Sequence, residues 1–179
     1  MPVGWAIAVV ALWVAVIGLA IVILGLLRQV TPALERAGGS TGFSPSAQGP
    51  PIGDELPSFA ARTADGQVID ESQLRGKPAL LLFLSPGCGP CQTLAAEMSR
   101  TDLGSLADEI LVVTAEEGLA GLDLPPSLRV IAELSREVSD ALEVAGTPFA
   151  IAVDPAGVIR AKRIPNTVKH LRSIAAVLA

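Results

Sequence analysis

The sequence contains two cysteines, and both lie in one short motif, Cys88-Gly89-Pro90-Cys91. Two thiols three residues apart can close a small disulfide ring, so the pair could exchange electrons with the thiols or disulfides of another molecule. A secreted domain stabilised by disulfides would carry more cysteines, spread along the chain. We therefore interpret this pair as reactive.

The elements around the motif would position these two sulfurs differently. Residues 79–84 form a continuous apolar run between two prolines, which is typical of a strand buried on both faces. A helix that begins at the motif would place Cys88 at its N-terminus, where free backbone N–H groups and the helix dipole stabilise a thiolate. Gly89 leaves that sulfur open to a partner, and Pro90 suits the first turn of a helix. Cys88 is thus the predicted nucleophile, and Cys91 the predicted resolving cysteine.

The rest of the C-terminal part alternates predicted strands and helices. Asp65-Gly66 indicates a turn between two short strands, and Asn166 or Thr167 can cap a last helix. The order of elements predicts an α/β fold with a mixed sheet flanked by helices. The predicted strands are 60–63, 67–69, 79–84, 110–114, 149–153 and 157–159, and the last helix is 168–178.

Composition and residue types exclude several other functions. A structural zinc site needs four ligands, and beyond the cysteine pair the chain offers one histidine, His170. We therefore expect no metal and no cofactor. The net charge of −5, the pI of about 4.8 and an aromatic content of 3% all argue against a nucleic-acid partner.

An apolar segment at 5–27 contains neither a charged residue nor a proline. Its 23 residues would span about 34 Å as a helix, which is enough to cross a bilayer. The stretch that precedes it is too short and lacks the basic residues of a signal peptide. The sequence predicts a single transmembrane anchor at 5–27. Arg28 and Arg36 follow the span, and on the positive-inside tendency alone they favour a cytoplasmic domain, so the residues leave the orientation open.

Residues 28–53 are rich in glycine, serine and proline and contain few large apolar side chains. Such a stretch buries too little surface to offset the entropy of ordering it, so it is predicted to be a flexible linker. The predicted globular domain is 54–179.

The cysteine motif and a second segment resemble a known family. Residues 80–94 are similar to the active-site segment of thioredoxin-like proteins, and Gly146-Thr147-Pro148-Phe149 is similar to the cis-proline loop of that fold. Residues 53–59 resemble the corresponding segment of the TlpA-like branch and of peroxiredoxin-related domains. The apolar span followed by Leu27–Val30 and Leu34–Arg36 looks most like the accessory thioredoxins of methylamine utilisation.

The resemblance implies a thioredoxin-like fold preceded by one transmembrane helix, with a cis peptide bond between Thr147 and Pro148. Thr147 and Pro148 would bind an extended substrate segment through backbone groups beside the cysteines. The chain also departs from the family pattern. Gly87 stands where thioredoxins usually have tryptophan, and Leu82 stands where they carry a buried acid. Glu116 and Glu117 are possible substitutes for that acid.

The function that these features predict is thiol–disulfide exchange with protein substrates at a membrane. The resemblance implies a role in maturing extracytoplasmic redox proteins, with an extracytoplasmic domain served by a membrane redox partner. The direction of electron flow, the substrate and the oligomeric state stay open. Two alternatives also stay open: a peroxiredoxin-like peroxidase, because Ser85 and Cys88 have the spacing of a peroxidatic motif, and a non-enzymatic copper chaperone.

Overall fold

A computed structural model of the chain describes residues 9, 12–13, 15–18, 48–115 and 118–178. The chain divides into two units, Met1–Phe43 and Ser44–Ala179, and the fold below is that of the second unit. In the first unit, the described residues 9, 12–13 and 15–18 are helical. The rest of the predicted anchor at 5–27 and the linker residues 28–47 lie outside the described residues. Within the described part of the chain, no helix combines the length and apolarity that a membrane crossing needs.

The second unit is built on a five-stranded mixed sheet with the strand order β5-β4-β3-β6-β7. The central strand β3 pairs in parallel with β4 and antiparallel with β6. A separate two-stranded hairpin, β1 and β2, lies beside the edge strand β5, where Thr63 forms a bridge with Ile131. The strands are β1 Ala60–Arg62, β2 Val68–Asp70, β3 Ala79–Phe83, β4 Glu109–Ala115, β5 Arg129–Glu133, β6 Phe149–Val153 and β7 Ile159–Arg163.

Helices cover the sheet and connect its strands. They are α1 Gly89–Met98, α2 Gly118–Gly121, α3 Glu137–Ala141 and α4 Val168–Ala175, with 3-10 turns at Glu71–Leu74 and Ala176–Leu178. Helix α1 joins the parallel strands β3 and β4, and α4 follows β7. Glu97 of α1 accepts a hydrogen bond from the Val168 N–H at 3.1 Å, which links the start of α4 to the helix that follows the cysteine motif.

The core occupies both faces of the sheet because side chains alternate along each strand. Leu80 and Leu82 of β3 pack on the face that α1 and α4 cover, together with Cys91. Leu81 and Phe83 pack on the opposite face. All five residues of β3 are buried, as expected for a central strand with elements on both sides.

The fold confirms the predicted thioredoxin-like α/β arrangement with a mixed sheet, and it differs from the predicted elements most clearly at β5 and β7. Helix α2 was also not predicted, and the last helix is α-helical to Ala175 and ends in a 3-10 turn. Strand β5 was not predicted, because its short apolar run lies between Arg129 and Glu133 and resembles a loop. Strand β7 begins at Ile159 instead of 157, since the Asp154 carboxylate accepts hydrogen bonds from two N–H groups of the preceding turn and extends that turn. Thr167 caps α4, as predicted.

Residues 48–53, which the sequence assigns to the linker, pack against the described domain. Gln48, Gly49 and Pro50 are buried. The Gly49 N–H donates to the Glu143 carbonyl at 3.0 Å, and the Gly53 N–H donates to the Ile159 carbonyl at 2.9 Å. The ordered contacts of the domain therefore begin before Asp54, the first residue of the predicted domain.

Candidate active site

The two cysteines of the motif form a disulfide at the N-terminus of α1, with their Cα atoms 5.2 Å apart. Cys88 is the N-cap residue in an extended conformation, and its Sγ accepts a hydrogen bond from the Cys91 N–H at 3.2 Å. Pro90 lies in the first turn, as predicted. The first backbone N–H groups of a helix have no partner within the helix. The Cys88 sulfur, here called the outer sulfur, accepts a hydrogen bond from one of them.

The two sulfurs differ in their access to solvent. Cys88 is half-buried, whereas Cys91 is fully buried. Cys91 lies on the buried side of α1 with Leu94, Ala95 and Met98, a spacing that places all four on one face of the helix. A partner can therefore reach Cys88, while Cys91 can react only with the sulfur beside it.

The surface around Cys88 is open. Gly87 and Gly89 are exposed, and a Cβ atom added to either would meet nothing within 4 Å. Gly87 occupies the position where thioredoxins usually have tryptophan, so the side of the site that a large aromatic ring would cover is free for a partner.

The loop that leads into Cys88 is fixed by its neighbours. Gln92 Nε2 donates to the Pro86 carbonyl at 2.6 Å, and the Cys88 N–H donates to the Ser85 carbonyl at 3.2 Å. Gly121 of α2 packs so closely that a Cβ atom there would lie 2.6 Å from Pro86 Cβ. Nothing in the sequence indicates the Gly121 contact, whereas Gln92 lies one helical turn after Cys88 and could have been proposed from its spacing.

The second predicted segment lies beside the first. The Thr147–Pro148 peptide bond is cis, as the resemblance implied. The carbonyl oxygen of Thr147 lies 3.6 Å from Cys88 Sγ. Thr147 is exposed and Pro148 is buried, so Thr147 borders the same open surface as the Cys88 sulfur. The structure thus brings together Cys88, Cys91, Thr147 and Pro148.

The loop that carries this proline, residues 143–149, receives three hydrogen bonds from two separate parts of the chain. The carbonyl oxygens of Glu143, Val144 and Gly146 accept from the Gly49 N–H at 3.0 Å, Arg136 Nη2 at 2.7 Å and Gln48 Nε2 at 2.6 Å, respectively. None of the three donors was predicted from the sequence, and for Gln48 and Gly49 the long distance along the chain hides the contact.

No carboxylate stands at the position of the usual buried acid. Leu82 is fully buried in the same apolar cluster as Cys91. Among the described residues, Glu133 is the one buried carboxylate, and it shares its side of β5 with Ile131, which packs on the opposite face of the sheet. Glu116 and Glu117 lie outside the described residues. The surroundings of Cys91 in the described part of the chain are therefore apolar.

Glu133 supports α3 instead. Its Oε1 accepts a hydrogen bond from the Ser139 N–H at 2.9 Å, and the Ser139 carbonyl in turn accepts from the Val144 N–H at 2.8 Å. Burial raises the pKa of Glu133, and the hydrogen bond from Ser139 opposes that shift only in part. The carboxylate thus takes part in a chain of contacts that ends at the loop 143–149.

Metal ligation finds little support in the described residues. No group of three or more histidine, cysteine, aspartate or glutamate side chains comes together there. His170 lies on α4, and its Nδ1 accepts a hydrogen bond from the Asn166 N–H at 3.3 Å. That nitrogen is therefore occupied by the backbone that leads into α4.

Comparison with known proteins agrees with the geometry. The sequence matches the AhpC/TSA family over residues 52–162. It is 35% identical over 176 residues to the methylamine utilization protein MauD of Methylorubrum extorquens, covering 92% of this chain and 82% of that protein. It is 32% identical to MauD of Paracoccus versutus, covering 92% and 84%. The chain belongs to the MauD family.

Solved structures similar to this member of the MauD family have the same fold. The thiol:disulfide interchange protein DsbE of Chlorobium tepidum aligns with a TM-score of 0.61 at 20% identity, over 72% of this chain and 99% of its own. A secreted Mycobacterium tuberculosis disulfide oxidoreductase aligns with a TM-score of 0.56 at 20% identity, over 67% and 96%. At such identities the likeness establishes a thioredoxin-like fold. Together with the disulfide at the start of α1, the arrangement is that of a thiol–disulfide oxidoreductase.

Proposed function

We propose that this chain is a membrane-tethered thiol–disulfide oxidoreductase that acts on protein substrates during the maturation of extracytoplasmic redox proteins of methylamine utilisation. One observation carries the proposal: the half-buried sulfur of Cys88 lies 3.6 Å from the carbonyl oxygen of the exposed residue Thr147. The MauD relatives supply the physiological setting, since they are named as methylamine utilization proteins.

The exchange begins at Cys88 in either direction. When the pair is oxidised, a substrate thiolate attacks Cys88 Sγ, the Cys88–Cys91 bond breaks, and Cys91 leaves as a thiolate that takes up a proton. A second substrate thiolate then attacks the substrate sulfur of the mixed disulfide and releases Cys88. The substrate gains one disulfide, and its two electrons remain on the cysteine pair. The reverse sequence reduces a substrate disulfide, and a membrane redox partner restores the starting state.

The substrate would lie across the Thr147 backbone. The exposed position of Thr147 and its 3.6 Å separation from Cys88 Sγ support the pairing of an extended peptide with this residue, while its disulfide reaches the outer sulfur. Glycine at positions 87 and 89 leaves room for a large partner, which favours a protein over a small thiol.

The membrane tether and the extracytoplasmic location are part of the proposal. Trp13, Leu12, Val16 and Ile17 are all more than half exposed among the described residues of the first unit. Large apolar side chains are costly to expose to water, and the uncharged segment 5–27 is long enough for a bilayer. A phosphatase that is active only outside the cytoplasm, fused after Ala179, tests the location. Activity supports it, and inactivity of a fusion that is present at normal abundance contradicts it.

Three assays on the full-length chain in detergent test the chemistry. We expect the reduced protein to cleave insulin disulfides, and a Cys88→Ser variant to be inactive. Consumption of peroxide without disulfide exchange would instead establish the peroxidase that the AhpC/TSA match and the Ser85–Cys88 spacing suggest. Tight Cu(I) binding without exchange would establish a chaperone. Either result would overturn the proposal.

A further inference from the structure

Gln48 is a buried polar residue far in sequence from the loop that it contacts. Its side-chain amide nitrogen donates a 2.6 Å hydrogen bond to the carbonyl oxygen of Gly146, the residue before Thr147. Gln48 is only 7% exposed. Its amide thus holds the backbone directly before the cis peptide bond, and the next carbonyl along the chain is the one beside Cys88 Sγ.

The backbone next to Gln48 is held in place by two further hydrogen bonds and by its close approach to the Phe149 ring. The Gly49 N–H donates to the Glu143 carbonyl at 3.0 Å, and Lys162 Nζ donates to the Gly49 carbonyl at 2.7 Å. Gly49 has a φ of +75°, and a Cβ atom there would lie 2.8 Å from the ring of Phe149. A side chain at this position would therefore be strained and would collide with the ring, so glycine is required for the close approach.

The Gln48 side chain also carries a polar atom that destabilises the fold. Its Oε1 atom is buried and has no hydrogen-bond partner among the described residues. A buried acceptor without a partner destabilises a fold, so an apolar residue of the same size would remove both the cost and the bond to Gly146. The amide is therefore poorly explained by stability alone, whereas its donor is well placed to fix the loop.

We infer that Gln48 is a positioning residue for substrate binding: its amide holds the Gly146 carbonyl so that the Thr147 backbone is set to pair with an extended protein substrate. The inference rests on the proposed function, because it assigns Thr147 to the same exchange reaction. Gln48 does not touch the reacting sulfurs, and it acts through the loop.

The test replaces the amide with an apolar side chain of similar length. Gln48→Met in the full-length chain removes the donor and the unpartnered acceptor together. We expect KM for insulin to rise about fivefold, since one hydrogen bond no longer restrains the loop. We expect kcat for insulin, and the rate with oxidised glutathione, to stay at wild-type values. Glutathione is too small to need the paired backbone, so a loss that affected both substrates would indicate general damage.

Gln73→Met provides the matched control. Gln73 Nε2 also donates to a backbone carbonyl, that of Val68 at 3.0 Å, but it lies in the 3-10 turn after β2. The Gln73→Met variant should have the wild-type KM and kcat for insulin and the wild-type rate with oxidised glutathione. Lys162→Met, which removes the donor to the Gly49 carbonyl, is the second variant and should raise KM for insulin in the same selective way if Gln48→Met fails to fold.

The outcomes separate the two proposals. If the wild-type protein does not exchange with insulin, the proposed function fails. If the wild type is active and a folded Gln48→Met variant has an unchanged KM, or loses activity equally with insulin and glutathione, the role of Gln48 is wrong while the function stands. If Gln48→Met does not fold, the Lys162→Met variant decides. An unchanged KM for insulin, or an equal loss with insulin and glutathione, then shows that the role of Gln48 is wrong.

Discussion

The two segments that form the site are held in different ways. The cysteine segment is fixed mainly by its own helix: Cys88 caps α1, Cys91 packs into the core beneath it, and Gln92 reaches back to Pro86. The loop 143–149 contributes few such local contacts. Its carbonyls accept hydrogen bonds from Gln48 and Gly49, which are about a hundred residues away, and from Arg136.

This difference assigns separate tasks to the two segments. The nucleophile needs a fixed position at a helix N-terminus, which local geometry alone provides. The loop must fit a substrate, and the donors that hold it lie outside the cysteine segment. Changes near Cys91 should therefore alter the chemistry or the core, whereas changes to the donors of the loop should alter substrate binding.

The largest effect is expected for a charge placed in the apolar surroundings of Cys91. Leu82→Asp would place a carboxylate in the apolar cluster beneath the disulfide, and we expect the free energy of unfolding at pH 8 to fall by about 3–5 kcal/mol. The loss should be smaller at pH 4, because burial raises the pKa of the new carboxyl and it is then neutral. Denaturant titrations at both pH values measure this.

The control for that prediction is Leu134→Asp, since Leu134 is 81% exposed. This variant should stay within about 0.5 kcal/mol of the wild type. A loss below 1 kcal/mol for Leu82→Asp would show that water or a polar group reaches Cys91.

A second prediction concerns the donor to Val144. Arg136→Met removes a 2.7 Å hydrogen bond to that carbonyl and an exposed ion pair with Asp140. We expect the free energy of unfolding to fall by about 1–2 kcal/mol and KM for insulin to rise, with kcat unchanged. Unfolding titrations and steady-state kinetics measure the two effects.

Arg75→Met is the matched control, because Arg75 also donates to one carbonyl, that of Ala156, and pairs with one carboxylate, that of Glu55. Its free energy of unfolding should fall by about as much as that of Arg136→Met, and its KM for insulin should not change. An equal rise in KM for both variants would remove the distinction between the loop and the rest of the domain.

The two segments also differ in how far the sequence predicts them. The disulfide, its place at the start of α1 and the buried central strand follow from local rules that a single sequence displays, such as the apolar run 79–84 and the Pro90 position. The start of the ordered domain did not follow. The composition of 28–53 indicates a linker, yet Gln48 and Gly49 pack on the domain because the carbonyl acceptors and the Phe149 ring that receive them come from the distant loop and β6.

The smallest expected effect is on the pH dependence of stability. Burial raises the pKa of Glu133, so the folded state binds its proton more readily than the unfolded state does. The stability from this group is full below the unfolded pKa and is lost as the pH rises through the raised folded pKa. Glu133→Gln, which keeps an oxygen acceptor for the Ser139 N–H, should therefore gain stability relative to the wild type between pH 4 and pH 7.

Denaturant titrations of the wild type and of Glu133→Gln at pH 4 and pH 7 measure the difference in their free energies of unfolding. An unchanged difference, or one that shrinks towards pH 7, would show that the Glu133 carboxylate is not penalised by burial.

In the proposed reaction, exchange starts at Cys88 and is resolved by Cys91. The most direct measurement is mass spectrometry of full-length Cys91→Ser after reaction with a protein disulfide, with Cys88→Ser as the comparison. We expect a mixed disulfide to accumulate on Cys88 of the first variant and none to form on the second. An adduct on Cys91 of Cys88→Ser, or no adduct on Cys91→Ser while the wild type is active, would contradict it.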